Sequence, residues 1–190
     1  MKIFISGGCK NGKSYYAQHF AQAQRAEQQE NSLYYIATMK PVDTEDRQRI
    51  LRHKQDREGW GFTTIEQPVD IEKILDKCSH THSFLLDSLT ALLANEMFLP
   101  DGIVNEQAAE KIINGLRQIL YKINNIVIVS DYIYSDAFIY DEFTDKYRKS
   151  LAEIDKKAAK NCDIVLEVAY TNVIVHKGNE VFGEIYEKVF

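Results

Sequence analysis

Short apolar runs alternate with helical patterns along most of the chain. The runs at 2–6, 33–37, 83–86, 126–129 and 164–168 are almost continuously apolar. Continuous rather than alternating apolar residues are typical of strands buried on both faces of a parallel sheet. Between the runs, apolar residues recur at helical spacing, most clearly over 108–123 and 151–159. Alternating strands and helices predict a wound α/β sheet with right-handed crossovers.

The pattern changes near the end of the chain. Thr171 and Asn172 precede a short β-like run at 173–176, and Gly178 follows it. Turn residues on both sides of a short run predict a C-terminal β-hairpin or meander added to the sheet. No repeat or low-complexity linker divides the sequence. We therefore expect residues 1–190 to form a single domain.

The first apolar run leads directly into a glycine-rich segment. It reads, in order, Gly7, Gly8, Cys9, Lys10, Asn11, Gly12, Lys13 and Ser14. This matches the phosphate-binding pattern G-x-x-x-x-G-K-S/T between a strand and a helix. The glycines let backbone N–H groups face phosphate oxygens, Lys13 reaches the β- and γ-phosphates, and the Ser14 hydroxyl is placed to bind Mg²⁺. A plain glycine turn is the alternative, but strand, glycines, Lys-Ser pair and helix all favour the phosphate site.

A second charged segment lies at 43–57, where a predicted helix opens with acidic residues and then becomes strongly cationic. Helical spacing puts Arg49, His53 and Arg57 on one face. Flanking guanidinium groups favour a neutral, nucleophilic imidazole and can hold a polyphosphate for in-line attack. From the pattern alone, a solvated helix face with ordinary ion pairs is the favoured interpretation.

Asp87 directly follows the apolar run at 83–86. A P-loop enzyme needs a carboxylate near Mg²⁺, and ligands of α/β sheets gather at the carboxyl ends of strands. Two roles are open for Asp87. It contacts the metal or a metal-bound water, which we favour, or it caps the following helix, a role for which Ser88 competes.

Composition narrows the range of partners. The hydrophobic content of 45% and charged content of 27% are ordinary for a globular protein, and the net charge of −5 gives no general attraction to nucleic acid or acidic membranes. Small anionic ligands fit a local basic site better. No signal-peptide pattern or bilayer-length apolar stretch occurs, so the cytoplasm is the expected location. Cys9, Cys78 and Cys162 lack metal-ligand spacing, which favours reduced thiols.

The order of these segments is more specific than any one of them. In sequence they are Ser6-Gly7-Gly8 with Gly12-Lys13-Ser14, Tyr35 to Thr38, Arg49 to Lys54 with Arg57, then Trp60, Glu66 and Pro68, and finally Leu85 to Thr90. Over roughly the first hundred residues, this order resembles the bifunctional adenosylcobinamide kinase/adenosylcobinamide-phosphate guanylyltransferase family.

The resemblance implies a single-domain P-loop fold of the RecA-like kind, with a mainly parallel sheet flanked by helices. It also implies a homotrimer that uses Mg²⁺ and either GTP or ATP. The implied reactions phosphorylate adenosylcobinamide and transfer GMP from GTP to its phosphate during cobalamin nucleotide-loop assembly. The implied catalytic residues are Lys13 and His53, the latter as a guanylylated intermediate. The implied nucleotide site adds Thr38, Arg49, Arg57, Glu66 and Asp87 to the P-loop.

The likeness weakens after Val129. The family usually carries Asn-Glu-Val-Gly where this chain has Ser-Asp-Tyr-Ile at 130–133, and a family asparagine in the next helix is Asp155 here. The altered loop follows a strand and is expected at the edge of the site. Two other functions therefore stay open: a P-loop kinase or nucleotidyltransferase for another small acceptor, and a nucleotide-binding regulatory protein without turnover.

Overall fold

One seven-stranded sheet organises the chain. The computed structural model describes residues 1–26, 32–100 and 102–189, except for the side chains of Ala26, Arg49 and Asp56. The strands are β1 (Lys2–Gly7), β2 (Leu33–Ala37), β3 (Phe62–Glu66), β4 (Ser83–Asp87), β5 (Asn125–Val129), β6 (Ile164–Ala169) and β7 (Asn172–Lys177). The helices are α1 (Lys13–Ala26), α2 (Thr44–Asp56), α3 (Leu89–Met97), α4 (Ala108–Lys122), α5 (Glu142–Asn161) and α6 (Asn179–Val189), with a 3₁₀ helix at Ile71–Asp76.

The strand order places the ends of distant segments side by side. The order across the sheet is β3-β2-β4-β5-β1-β6-β7. Strands β1 to β6 pair in parallel, and β7 is antiparallel to β6. This confirms the predicted wound, mainly parallel sheet. Because β5 lies between β1 and β4, the carboxyl ends of these three strands meet at one edge, where ligands of α/β proteins bind.

Both faces of the sheet are covered, as the continuous apolar runs predict. Phe84 and Ile126 belong to the core cluster that packs under α3, α4, α5 and the 3₁₀ helix. Their chain neighbours Leu85 and Val127 point the opposite way and pack with residues of α1 and α6. Successive side chains of a strand alternate between faces, so a strand with helices on both sides must be apolar throughout.

The predicted helix at 43–57 is confirmed as α2, and its ends follow from local capping. The Asp43 carboxylate accepts a hydrogen bond from the backbone N–H of Asp46 at 2.8 Å and caps the helix, while Arg57 is the C-cap. The helix after β4 is capped by Ser88, whose Oγ accepts from the Ala91 N–H at 3.3 Å. Ser88 therefore takes the capping role that was open for Asp87.

The predicted C-terminal hairpin is confirmed, but the chain continues beyond it. Strands β6 and β7 pair through a turn at Tyr170 and Thr171, both with positive φ. Helix α6 then follows, where the sequence pattern predicted only a turn at Gly178. Among the helices of the described residues, none has the length and hydropathy of a membrane-spanning segment.

Candidate active site

The P-loop joins β1 to α1 at the carboxyl edge of the sheet. Gly7 has a φ of +151°, and a Cβ there would lie 2.3 Å from the Val168 carbonyl oxygen, so only glycine fits against β6. Gly12 also has a positive φ of +93°, and Lys10 has one of +60°. The loop therefore wraps around the N-terminus of α1, where backbone N–H groups point at a bound anion.

The Lys13 ammonium is buried at the base of this loop. Its Nζ donates to the Gly8 carbonyl oxygen at 2.7 Å and forms an ion pair with Asp131 Oδ1 at 2.8 Å. Asp131 lies two residues after the end of β5, and its backbone N–H donates to Thr90 Oγ1 at 2.9 Å. Pattern reasoning did not assign a site role to Asp131. The available signal resembled that of Asp87, since Asp131 is a carboxylate two residues beyond a buried apolar strand.

A cavity of about 570 Å³ opens at the carboxyl ends of β2, β3 and β4. The segment before α2 and α2 itself line it with basic groups, namely Lys40, Arg47, His53, Lys54 and Arg57. The sheet edge lines it with Glu66, Asp87 and Asp131. Of the residues predicted for the site, the cavity therefore brings together His53, Arg57, Glu66 and Asp87. Asp131 connects the cavity with the P-loop, because it lines the cavity and also binds Lys13.

Arg57 lies on an aromatic ring inside this cavity. Its guanidinium carbon is 3.4 Å from the centroid of the Tyr35 ring, and the Tyr35 hydroxyl donates to Asp87 Oδ2 at 2.7 Å. The Arg57 side chain is buried, and its Nη1 has no hydrogen-bond partner among the described residues. An unpaired buried donor costs about 1–3 kcal/mol, which an anion in the cavity would recover.

Other predicted residues lie outside the cavity lining. Thr38 is fully buried, and its Oγ1 donates to the Ser88 carbonyl oxygen at 2.8 Å and accepts from the Ser88 N–H at 2.7 Å. Its hydroxyl therefore ties the end of β2 to the start of α3. None of the P-loop residues at 7–14 lines the cavity either. Arg49 belongs to α2, but its side chain lies outside the described part of the structure.

A buried acid lies on α5. Asp155 is 3% exposed, its Oδ2 accepts from the Tyr134 hydroxyl at 3.1 Å, and its Oδ1 has no hydrogen-bond partner within the described residues. Burial raises the pKa of Asp155 to about 7, and the charge of Asp131 adds to this effect. The carboxyl group is therefore more easily protonated in the folded protein than in the unfolded chain.

We expect Asp155→Asn to flatten the dependence of stability on pH. Because folding raises the pKa of Asp155 from 3.8 to about 7, its stabilising contribution is full below pH 4 and is lost as pH rises through about 7. The loss is at most about 4 kcal/mol. Asparagine keeps the size and the acceptor for Tyr134 without the charge. Urea unfolding at pH 5 and pH 8 measures the difference, and equal destabilisation of the variant at both values would contradict the prediction.

The fold and the P-loop sequence together define a P-loop protein with a mainly parallel α/β sheet. Residues 3–173 match the cobinamide kinase / cobinamide phosphate guanyltransferase family, and the chain belongs to this family. It is thus an enzyme of nucleotide-dependent phosphorus transfer. The activities of the family are phosphorylation of adenosylcobinamide and guanylyl transfer to its phosphate in cobalamin biosynthesis.

Of two similar solved structures, the first supports the fold and nothing beyond the fold. A KaiC-like protein from Pyrococcus horikoshii is 12% identical with a TM-score of 0.50, and the match covers 94% of this chain and 79% of that one. The flagellar accessory protein FlaH from Methanocaldococcus jannaschii is 14% identical with a TM-score of 0.46, covering 93% and 77%. No curated protein sequence matches this chain significantly.

Proposed function

We propose that His53 takes GMP from GTP and passes it to adenosylcobinamide phosphate, and that the P-loop serves the kinase reaction that makes this phosphate. The observation that carries the proposal is the cavity itself. His53 and Asp87 line it together with the buried Arg57, whose Nη1 has no hydrogen-bond partner within the described residues, and it meets the P-loop at the Lys13–Asp131 ion pair. A histidine beside a buried anion site next to a P-loop is suited to attack on phosphorus.

In the guanylyl half, the lone pair of the unprotonated His53 ring nitrogen attacks the α-phosphorus of GTP. The N–P bond forms, the bond from the α-phosphorus to the bridging oxygen breaks, and its electron pair leaves with pyrophosphate. A phosphate oxygen of the acceptor then attacks the same phosphorus and restores the imidazole. Arg57 and Lys13 stabilise the charge on the phosphates during both displacements.

The residues present also fit Mg²⁺. Ser14 supplies a hydroxyl and Asp87 a carboxylate, and Mg²⁺ in nucleotide sites takes few protein oxygens alongside phosphate and water. One Asp87 oxygen is engaged by Tyr35, which orients the carboxylate towards the cavity edge. When bound, the ion would neutralise phosphate charge. We assign Arg49 and Glu66 to further nucleotide contacts, whereas the fully buried Thr38 supports the junction of β2 and α3 instead of contacting the nucleotide. We propose a homotrimer from membership of the family.

Labelled GTP tests the covalent route. Protein incubated with Mg²⁺ and α-³²P-GTP should retain label after denaturing electrophoresis, whereas γ-³²P-GTP should leave none. Adenosylcobinamide phosphate, added to the labelled protein before it is denatured, should remove the label. Label that is never retained would overturn the covalent route. Label that is retained but does not move to this compound would exclude adenosylcobinamide phosphate as the acceptor.

Arg57 gives a second prediction. We expect Arg57→Gln to lower kcat/KM for His53 labelling by GTP at least about tenfold, because a phosphate loses its charged buried partner. Arg57→Lys should recover only part of this, since lysine keeps the charge but not the planar fork that stacks on Tyr35. Arg52→Gln is the matched control, because Arg52 is exposed on the same helix and does not line the cavity. Equal labelling rates for Arg57→Gln and Arg52→Gln would contradict the assignment.

A further inference from the structure

Asp131 lies where the P-loop and the cavity meet. Its carboxylate is 21% exposed, binds the P-loop lysine at 2.8 Å and lines the cavity that contains His53 and Asp87. We propose that Asp131 is the catalytic base of the kinase half, the group that accepts the proton of the acceptor hydroxyl during phosphoryl transfer. The inference rests on the proposed function, because it assumes that an alcohol acceptor is phosphorylated at this P-loop.

The backbone fixes Asp131 against the P-loop. The N–H of Ser130 donates to the Ile5 carbonyl oxygen at 3.0 Å, and the N–H of Tyr132 donates to the Gly7 carbonyl oxygen at 2.9 Å. The N–H of Asp131 itself binds Thr90 on α3 at 2.9 Å. Three consecutive residues are thus anchored to β1, the P-loop and α3, so the carboxylate has a defined position next to the phosphate site.

Sheet order distinguishes Asp131 from the other two acids at the sheet edge of the cavity. Asp131 follows β5, which is the direct neighbour of the P-loop strand β1. Asp87 ends β4, one strand further away, and one of its oxygens already accepts from Tyr35. Glu66 ends β3, the edge strand of the sheet. Of these three carboxylates, Asp131 is therefore the one placed closest along the sheet to a γ-phosphate on the P-loop.

The ion pair with Lys13 explains how this base becomes available. A carboxylate beside the P-loop would repel a triphosphate, and the ion pair with Lys13 neutralises it. When the nucleotide binds, the Lys13 ammonium turns to the β- and γ-phosphates, as P-loop lysines do. Asp131 Oδ1 then loses its cation and can accept a new hydrogen bond, from the hydroxyl that attacks.

The step balances without another reactant. The acceptor oxygen attacks the γ-phosphorus, and its O–H proton moves to the Asp131 carboxylate. The bond between the γ-phosphorus and the bridging oxygen breaks, and its electron pair leaves on the nucleoside diphosphate. Guanylylation of His53 needs no such base, because a neutral imidazole attacks with a free lone pair. Loss of the Asp131 carboxylate should therefore slow the kinase reaction much more than guanylylation of His53.

The test compares the two reactions in Asp131→Asn, Asp131→Glu and the parent. Asp76→Asn is the matched control, because Asp76 is exposed on the 3₁₀ helix and does not line the cavity. With adenosylcobinamide and MgATP or MgGTP, we expect Asp131→Asn to lower kcat about 100-fold or more, and Asp131→Glu to recover part of it. The rate of His53 labelling should fall by at least about tenfold less than the kinase kcat, and the nucleotide Kd should be unchanged or lower, since Lys13 loses its competing partner.

Each other outcome overturns the inference. Unchanged kinase kcat in Asp131→Asn would exclude Asp131 as base, as would a parent that labels His53 but phosphorylates no adenosylcobinamide. Equal losses in both reactions, with weaker nucleotide binding, would show that Asp131 only supports the loop. Failure of the proposed covalent mechanism is a distinguishable result, because in that case the parent protein itself retains no label from α-³²P-GTP.

Discussion

His53→Asn and His53→Ala are expected to abolish the GMP adduct that the parent protein forms with MgGTP. The cavity contains His53 together with the buried Arg57 guanidinium, and we propose the His53 imidazole as the nucleophile. Neither substitute has a ring nitrogen with a free lone pair, and the N–P bond cannot form. Intact-protein mass spectrometry should show one GMP per parent subunit and none on either variant. The parent adduct should be cleaved by acid and survive base, as a phosphoramidate does.

His176→Asn controls for general loss of a histidine. His176 is on β7, the edge strand opposite β3, and pairs with Glu167 at 2.8 Å. We expect this variant to form the adduct at the parental rate. Circular dichroism checks that both His53 variants keep their fold. A GMP adduct that persists in the His53 variants would move the nucleophile to another residue, and no adduct on the parent would leave only the kinase reaction.

Local sequence rules were sufficient to predict most of the strands of the sheet and helix α2. A run such as Ile126 to Val129 is apolar at every position, which only a strand buried on both faces requires. Asp43 and the acidic residues after it identify the start of α2 because a carboxylate satisfies unpaired N–H groups there. These signals lie within a few residues of the feature that they predict, so no tertiary information is needed.

Helix α6 shows where local rules were insufficient. Gly178 and Asn179 are typical turn residues, and they mark the true end of β7. The helix that follows has an amphipathic sequence, but only Ile185 on it is buried, and Gly183 interrupts its apolar face. Its position depends on packing of Phe182 against Phe20 of α1, with ring centroids 5.9 Å apart. That contact spans most of the chain and leaves no local pattern.

The candidate site also has a part that could be predicted from the sequence and a part that could not. The P-loop could be predicted because all its parts are adjacent in the sequence, and its strand–loop–helix geometry follows directly. Two contacts at the site depend on strand order. Asp131 meets Lys13 because β5 lies beside β1, and Tyr35 meets Asp87 because β2 lies beside β4. The order of elements along a chain does not determine their order across a sheet. The role of Asp87 could thus be proposed from sequence, but its partner could not.

Lys13→Ala should weaken MgGTP binding at least about tenfold, which corresponds to about 1.4 kcal/mol. The Lys13 ammonium is the buried cation of the P-loop, and alanine leaves the β- and γ-phosphates without it. The substitution also leaves the Asp131 carboxylate unpaired beside the phosphate site, so repulsion adds to the loss. We expect both the kinase reaction and His53 labelling to slow by at least about the same factor. Isothermal titration calorimetry with MgGTP measures the affinity.

The double variant Lys13→Ala/Asp131→Asn separates these two contributions. If repulsion by Asp131 is part of the loss, the double variant should bind MgGTP more tightly than Lys13→Ala alone, although still more weakly than the parent. Lys122→Ala is the matched control for a lost lysine. Lys122 is exposed at the end of α4, just before β5, and so lies at the amino ends of the strands, away from the P-loop. It should bind as the parent does. Unchanged affinity together with unchanged turnover in Lys13→Ala would remove the P-loop lysine from the mechanism.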